Sequence, residues 1–303
     1  MMNNKRTFYI LTILFIFTLT DCSKKIPEFN GEKAFQYLEK QCSFGPRNPN
    51  SDGHLLCKNY IINFLEENGG EVKTQDFSAE VREETYNLTN IIASYYPQRR
   101  TRIFIGAHWD TRPWADLDSL EENRNLPIMG ANDAASGVSV LLHLVEILNK
   151  YEPPLFGVDL LFFDGEDAGT QGSNEEWCLG SKYFVENFQG SEPDFVVIID
   201  MIGDSNLNIK IEGYSYKNSP ELVEQIWKIA RAQNISNFDT KISNFIYDDH
   251  YPFLEKGFNA IDIIDFDYPY WHTLQDTPDK CSAQSLQIIG NVLTSFIYKS
   301  HEE

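Results

Sequence analysis

The sequence is poor in basic residues: 25 Lys and Arg stand against 45 Asp and Glu, which gives a formal net charge of -20 over 303 residues. Capture of nucleic acid through its phosphates needs a basic surface, so this balance argues against a nucleic-acid-binding protein. Cysteine is also scarce, with five residues and no CxxC or zinc-ribbon spacing. We therefore expect no cysteine-ligated metal. The sequence leaves open the pairing of Cys42, Cys57, Cys178 and Cys281.

Long apolar runs are missing except over residues 8–19, which follow the basic pair Lys5 and Arg6. This run is too short for a membrane span of ~20 residues, and its pattern predicts a secretory signal. Cys22 follows the run and resembles the lipid-attachment site of bacterial lipoproteins, although Asp21 departs from the usual small residue. We predict a lipoprotein-type signal over residues 1–22 and a lipid anchor at a bacterial cell envelope, on its periplasmic or outer-membrane face. Simple cleavage and an uncleaved anchor are the alternatives.

The remaining residues, 23–303, are predicted to form a single domain, because a chain with 42% hydrophobic residues can bury one large core. Apolar positions at helical spacing predict helices over residues 31–42 and 53–67. Three strands with antiparallel pairing are predicted to follow, over residues 71–77, 88–94 and 101–107.

From residue 137 onwards the predicted helices and strands alternate. The helices cover residues 137–148, 180–187, 219–233 and 282–298, and the strands cover 158–163, 195–199 and 260–266. This alternation is typical of an α/β fold, and near-continuous apolar strands indicate burial on both faces. We expect a mixed, mainly parallel, twisted central sheet flanked by helices on both faces.

Acidic residues and histidines follow the predicted strands in five segments: His108 to Asp110, Asp133 within the glycine-containing stretch 130–137, Glu166 with Asp167, Asp200, and His272. The carboxyl ends of parallel strands meet at one edge of a sheet, where α/β proteins bind their ligands. One such segment could simply cap a helix, but five are hard to explain as caps. Carboxylate and imidazole ligands without thiolate suit a catalytic zinc ion with an open coordination position.

Glu166 and Asp167 are expected to have separate roles, because neighbouring side chains of extended chain point to opposite sides. One can ligate the metal while the other faces the substrate as a general acid/base. His250 is predicted to be a structural hydrogen-bonding residue rather than a ligand.

Three motifs carry a resemblance to known enzymes: Gly165-Glu-Asp, Asp248-Asp-His-Tyr-Pro-Phe and Trp271-His-Thr. Over residues 34–298 the chain resembles the zinc aminopeptidase-like (M28) family, and within it the glutaminyl cyclases of the bacterial type most closely. Asp167 stands where the animal cyclases usually have Glu. The resemblance implies zinc bound by Asp133, Asp167 and His272, with a cis peptide bond after Asp133. It also implies Glu166 as general acid/base, Asp200 and Asp248 as hydrogen-bonded catalytic carboxylates, and Trp177 and Trp271 as pocket walls.

Two enzyme functions fit these residues. An aminopeptidase activates water, which two bridged metals do well, and its five ligand positions are matched by His108, Asp133, Asp167, Asp200 and His272. A cyclase uses the α-amine of its substrate as nucleophile, so one zinc per chain and a proton shuttle suffice. Trp271 before the last ligand and Asp248 ahead of it favour a small, closed pocket for one glutamine side chain. A non-enzymatic module of the same fold would be expected to lack ligands or base.

We therefore predict a zinc-dependent glutaminyl-peptide cyclotransferase with one zinc per chain. It would convert the N-terminal glutamine of peptides and proteins to pyroglutamate and release ammonia. The M28-type two-zinc aminopeptidase is the alternative.

Overall fold

The computed structural model describes residues 26–153 and 155–299, so the predicted signal segment over residues 1–22 lies outside the described residues. The first part of the chain forms α1 (Gly31–Cys42), α2 (Asp52–Glu67), β1 (Glu71–Val81), β2 (Glu84–Tyr95), β3 (Arg102–His108), α3 (Ala135–Lys150), β4 (Gly157–Phe163) and α4 (Leu179–Asn187). The second part forms β5 (Phe195–Asp200), β6 (Ile209–Ile211), α5 (Gly213–Asn218), α6 (Pro220–Ala232), β7 (Phe238–Ile242), α7 (Tyr251–Glu255), β8 (Ala260–Ile264) and α8 (Ala283–Tyr298). Within these ranges no helix is long and apolar enough to cross a membrane.

The central sheet has six strands in the order β1-β2-β4-β3-β5-β8. The β1–β2 and β2–β4 pairs are antiparallel, whereas β4–β3, β3–β5 and β5–β8 are parallel. The prediction of a mixed, mainly parallel sheet is therefore confirmed, and so is the antiparallel edge formed by β1 and β2. The prediction that the strand over residues 101–107 belongs to this antiparallel edge is wrong, because β3 pairs with two parallel neighbours. Two features were not predicted: β4 inserts between β2 and β3, and β6 and β7 form a separate two-stranded sheet.

The hairpin of β1 and β2 is longer than the sequence pattern predicts. The register continues to the pair Val81 and Glu84, so residues 78–87, which were predicted to lie outside strands, belong mostly to the hairpin. Arg82 and Glu83 form the two-residue turn with φ of 50° and 67°. Two central residues with positive φ match the right-handed twist of paired strands. Because neither residue is Gly or Asn, the usual sequence signal for this turn is missing.

Helices cover both faces of the sheet, as predicted. On one face α1, α3 and α8 pack against the sheet with Ile103 and Ile105 of β3, and on the other face Phe104 of β3 packs with Phe184 of α4 and Phe253 of α7. Successive side chains of a strand point to opposite faces, which explains why these buried strands are apolar throughout. Cys42, Cys57, Cys178 and Cys281 are all buried and free.

Helix α3 packs unusually close to the sheet. A Cβ atom added at Gly137 would lie 2.8 Å from both the Ala107 Cβ and the Ile199 carbonyl oxygen. Only glycine permits this backbone approach without a shift of its neighbours. The approach brings the start of α3, just after Asp133, to the carboxyl ends of β3 and β5.

Candidate active site

A cavity of about 350 Å³ lies at the carboxyl ends of the parallel strands. All eight predicted site residues line it: Asp133, Glu166, Asp167, Trp177, Asp200, Asp248, Trp271 and His272. Its apolar lining includes Met201, Phe245, Ile246, Ile264 and Phe266. The structure thus brings together residues that span 140 positions of the sequence. Their individual roles stay predictions.

The turn that carries Glu166 and Asp167 is held by a buried carboxylate. The backbone N–H groups of Glu166 and Asp167 donate to Asp110 at 3.1 and 3.3 Å. Gly165, with φ of 71°, takes the left-handed conformation that the tight turn after β4 requires. These contacts fix the two neighbouring carboxylates relative to the end of β3.

The segment before α3 is held in a similar way. The N–H groups of Asn132 and Asp133 donate to the carboxylate of Asp276 at 2.8 and 3.1 Å. Burial, together with the charge of Asp133, raises the pKa of Asp276 to about 7. The peptide bond between Asp133 and Ala134 is cis, which confirms the prediction.

The predicted zinc ligands fit a metal ion. The Nε2 atom of His272 lies 3.1 Å from Asp167 Oδ1 and 3.8 Å from Asp133 Oδ2. One ligand atom from each of the three buried residues lies within 4.8 Å of the others. Among the residues that the structure describes, the buried Asp167 Oδ2 has no hydrogen-bond partner. Arg112, whose Nη1 lies 3.4 Å from Asp167 Oδ1, supplies one positive charge to the two buried carboxylates, and zinc accepts the remaining donor set.

A second set of ligands lies beside the first. The Nε2 atom of His108 is 3.2 Å from Asp133 Oδ1 and 3.1 Å from Asp200 Oδ1. One ligand atom from each of these residues also lies within 4.8 Å of the others. The two oxygens of Asp133 therefore belong to different sets. This arrangement accommodates either one metal ion or two.

Glu166 and Asp248 provide proton-exchanging groups in the cavity. Burial, with the charges of Asp248 and Asp167 adding to it, raises the pKa of Glu166 well above its usual value. Burial and the charge of Asp200 raise the pKa of Asp248 to about 6. The thiol of Cys178 lies 3.4 Å from Glu166 Oε1 and donates to it. Carboxyl groups with raised pKa values can both accept and return protons near neutral pH.

The sequence from residue 90 to residue 297 matches the model of Peptidase family M28. This match covers more than half of the chain. The protein belongs to Peptidase family M28.

Two solved structures are similar to this protein over most of its length. One is a glutaminyl cyclase of Bacteroides thetaiotaomicron in complex with N-acetylhistamine, which is 37% identical to this protein. The superposition covers 91% of this protein and 100% of the cyclase chain, with a TM-score of 0.88. The other is a leucine aminopeptidase precursor of the same species, which is also 37% identical. Its superposition covers 91% of this protein and 99% of the aminopeptidase chain, with a TM-score of 0.88. Among curated relatives, the glutaminyl-peptide cyclotransferase of Drosophila melanogaster is 23% identical over 76% of this chain and 70% of its own length.

Sequence reasoning missed several residues of this M28 site. Arg112 and Asp116 lie behind the predicted zinc ligands, where Asp116 Oδ1 is 3.5 Å from His272 Nδ1. Asp249 and Asp262 are buried acids near Asp248, and burial raises the pKa of each well above its usual value. Arg112 and Asp249 had a local signal, since Arg112 closely follows the His108 to Asp110 segment and Asp249 lies within the Asp248-Asp-His-Tyr-Pro-Phe motif. His250 lies 3.1 Å from Glu212 and does not line the cavity, and its structural role stays a prediction.

Proposed function

We propose that this M28 protein is a zinc-dependent glutaminyl-peptide cyclotransferase, which converts N-terminal glutamine of peptides and proteins to pyroglutamate and releases ammonia. The similarity to bacterial glutaminyl cyclases supports this activity. The observation that carries the proposal is the buried Asp248 carboxyl group, which lines the same cavity as Glu166 and Asp200. A peptidase with two metals already has its nucleophile and base, and has no evident use for this third carboxyl group.

The walls of the cavity suit one flat, uncharged side chain. Trp177 lies parallel to the His272 ring, with ring centroids 6.0 Å apart and an interplanar angle of 2°. Trp271 lies on the same imidazole with centroids 4.0 Å apart. Aromatic walls exclude water from the site, which strengthens the electrostatic contacts of a bound carboxamide.

The proposed reaction divides the chemistry between zinc and the side chains. Bound zinc, held by Asp133, Asp167 and His272, supplies Lewis acidity toward the γ-carboxamide carbonyl of the substrate. Glu166 accepts a proton from the α-amine, whose nitrogen attacks the carbonyl carbon (Cδ) of the carboxamide and closes a five-membered lactam. The bond from this carbonyl carbon to the side-chain amide nitrogen then breaks. Glu166 returns the proton to that nitrogen, which leaves as ammonia.

Asp248 and Asp200 steady the departing nitrogen in this scheme by hydrogen bonds. Asp248, with its pKa raised to about 6, exists in both protonation states near neutral pH and can accept from an amino group. We further propose one zinc per chain, with His108 and Asp200 left as hydrogen-bonding neighbours. A second ion would occupy the Asp200 carboxylate and generate a hydroxide nucleophile that competes with the α-amine.

The two-zinc aminopeptidase is the second candidate function. It is favoured by one observation, the complete second ligand set of His108, Asp133 and Asp200. The similarity to a leucine aminopeptidase precursor points the same way.

Metal analysis and a substrate panel on the same purified sample separate the two functions. A cyclase is expected to contain one zinc per chain and to turn over Gln-amide but not Leu-amide. Glu-amide serves as the control, because the carbon of its charged γ-carboxylate is a poor electrophile for attack by the α-amine. Two zinc ions per chain together with hydrolysis of Leu-amide would make the protein an aminopeptidase.

The cellular location belongs to the proposal as well. We propose export directed by residues 1–22 and lipid attachment at Cys22, on the basis of the sequence pattern alone. The protein would then meet peptide substrates at the periplasmic or outer-membrane face of a bacterial cell envelope.

A further inference from the structure

Arg112 is a fully buried cation directly behind the zinc ligands. Its guanidinium forms a two-bonded pair with Asp116, with Nε to Oδ1 at 2.7 Å and Nη2 to Oδ2 at 2.6 Å. The remaining nitrogen, Nη1, donates to the backbone oxygens of Asp167 and Gly169 at 3.0 and 3.1 Å. The planar guanidinium holds its N–H donors in fixed directions that match these four acceptor oxygens. The single ammonium group of a lysine could not donate to all of them.

These contacts reach two of the three zinc ligands. Besides holding the Asp167 backbone, Arg112 Nη1 lies 3.4 Å from Asp167 Oδ1. Asp116, which Arg112 holds, lies 3.5 Å from the Nδ1 atom of His272. Among the described residues Nδ1 has no hydrogen-bond partner at this distance, but the negative charge of Asp116 still favours the imidazole tautomer with its proton on Nδ1 and its lone pair on Nε2. Nε2 is the atom that lies 3.1 Å from Asp167 Oδ1, within the ligand set.

The same guanidinium also contacts the cavity wall. Its Cζ atom lies 4.7 Å from the centroid of the Trp177 ring, which is parallel to His272. Trp177 is anchored on its other side by a hydrogen bond from its Nε1 to the Thr170 carbonyl. A buried cation on the face of an indole attracts the ring and restricts its position.

We propose that Arg112 is a positioning residue that holds Asp167, His272 and Trp177 in one arrangement, acting on His272 through Asp116. The inference takes from the proposed function only the assignment of Asp167 and His272 as zinc ligands. It applies equally to a cyclase and to an aminopeptidase. Arg112 touches no substrate in this role and orients the groups that do.

The experiment measures the zinc Kd of the full chain by competition with a chelator, for wild type and for Arg112→Met and Asp116→Asn. Loss of a residue that orients a metal ligand typically weakens metal binding 10- to 100-fold. We expect each variant to show a loss in this range. The double variant is expected to fall within about threefold of the weaker single variant, because the two residues act as one unit.

Arg102→Met is the matched control. Arg102 forms the same two-bonded pair with Asp159, with distances of 2.6 and 2.7 Å, but at the opposite end of β3. It is expected to lower stability and leave the zinc Kd unchanged. If Arg112→Met does not fold, the zinc Kd of Asp116→Asn tests the proposal instead, because asparagine preserves the shape of the aspartate side chain. The inference is overturned if folded Asp116→Asn binds zinc as wild type does, or if Arg102→Met weakens zinc binding equally.

A kinetic readout distinguishes positioning from general loosening. Arg112→Lys keeps the positive charge but loses the planar guanidinium and its paired hydrogen bonds. Compared with Arg112→Met, it is expected to recover only part of the zinc affinity and of kcat for Gln-amide. Full recovery by lysine would show that charge alone suffices, and would overturn the positioning role. Whether the wild-type protein acts on Gln-amide or Leu-amide does not affect the zinc Kd, so failure of the proposed function is seen separately.

Discussion

Replacement of Glu166 by glutamine tests the proposed general acid/base while the surrounding structure is kept. The backbone contacts of this residue do not depend on its charge: its N–H donates to Asp110 at 3.1 Å and its carbonyl accepts from Cys178 N at 3.0 Å. Glutamine has nearly the same shape, and its Oε1 can still accept from the Cys178 thiol. We therefore expect Glu166→Gln to fold and to bind zinc.

The variant loses the group that carries the proton. Burial and the charges of Asp248 and Asp167 raise the pKa of Glu166 well above its usual value, so its carboxyl group holds a proton more readily than an exposed one and can return it to a leaving group. A general acid/base contributes ~10²- to 10⁴-fold in rate, or about 3 to 5 kcal/mol of transition-state stabilisation. We expect kcat for Gln-amide to fall by at least about 100-fold, while KM changes little.

The assay is steady-state ammonia release at equal zinc content. Glu175→Gln is the control, because Glu175 lies exposed in the loop between Glu166 and α4 and does not line the cavity. It removes the same charge and is expected to keep wild-type turnover. Near-wild-type kcat in a zinc-loaded Glu166→Gln sample would remove Glu166 from the mechanism.

Three further predictions concern the cavity mouth, the anchor and acid stability. Phe245 lines the cavity with 59% of its surface exposed. Phe245→Ala should therefore raise KM for Gln-Phe-amide several-fold more than for Gln-amide, whereas equal changes would exclude contact with the second residue. Cys22→Ala should release the protein from the membrane fraction of expressing cells, and unchanged membrane association would refute lipid attachment. Burial alone would raise the pKa of Glu212, but hydrogen bonds from His250 and from the N–H groups of Ile246 and Ser215 lower it to about 2. The stabilisation is present above about pH 4.5 and is lost as the pH falls toward 2, so Glu212→Gln should cost about 3 kcal/mol of unfolding free energy at pH 7 and little near pH 2. Denaturant unfolding at both pH values checks this, and an equal difference at both would contradict the assignment.

The arrangement of predicted strands and ligands followed from local patterns. Periodic apolar positions identified the helices of the α/β core, and apolar runs identified β4, β5 and β8. Side chains after those strands were expected at one sheet edge, because parallel strands present their carboxyl ends together. For this reason Asp133, Glu166, Asp167, Asp200 and His272 were expected together, whereas Trp177, Asp248 and Trp271 were implied by the resemblance to the glutaminyl cyclases. All eight residues line the same cavity.

The long hairpin was not predictable in the same way. Its turn at Arg82 and Glu83 has positive φ at both positions without glycine or asparagine, so no local residue preference indicated it. The place of β4 between β2 and β3 also had no local signal, because strand order depends on which faces pack together. Pairing of β2 with β4 is decided by contacts between residues about 70 positions apart in sequence.

The sequence by itself determined the fold class, the edge of the sheet that carries the chemistry and the residue types available as ligands, because each depends on periodicity and on position at strand ends. Tertiary structure decided how those residues are supported. The contacts of Arg112 with Asp116, Asp167 and Trp177 join segments separated by up to 65 positions. The division of the Asp133 oxygens between two ligand sets likewise depends on distances of a few ångströms. Such distances are set by packing of the whole core, which no local stretch of sequence encodes.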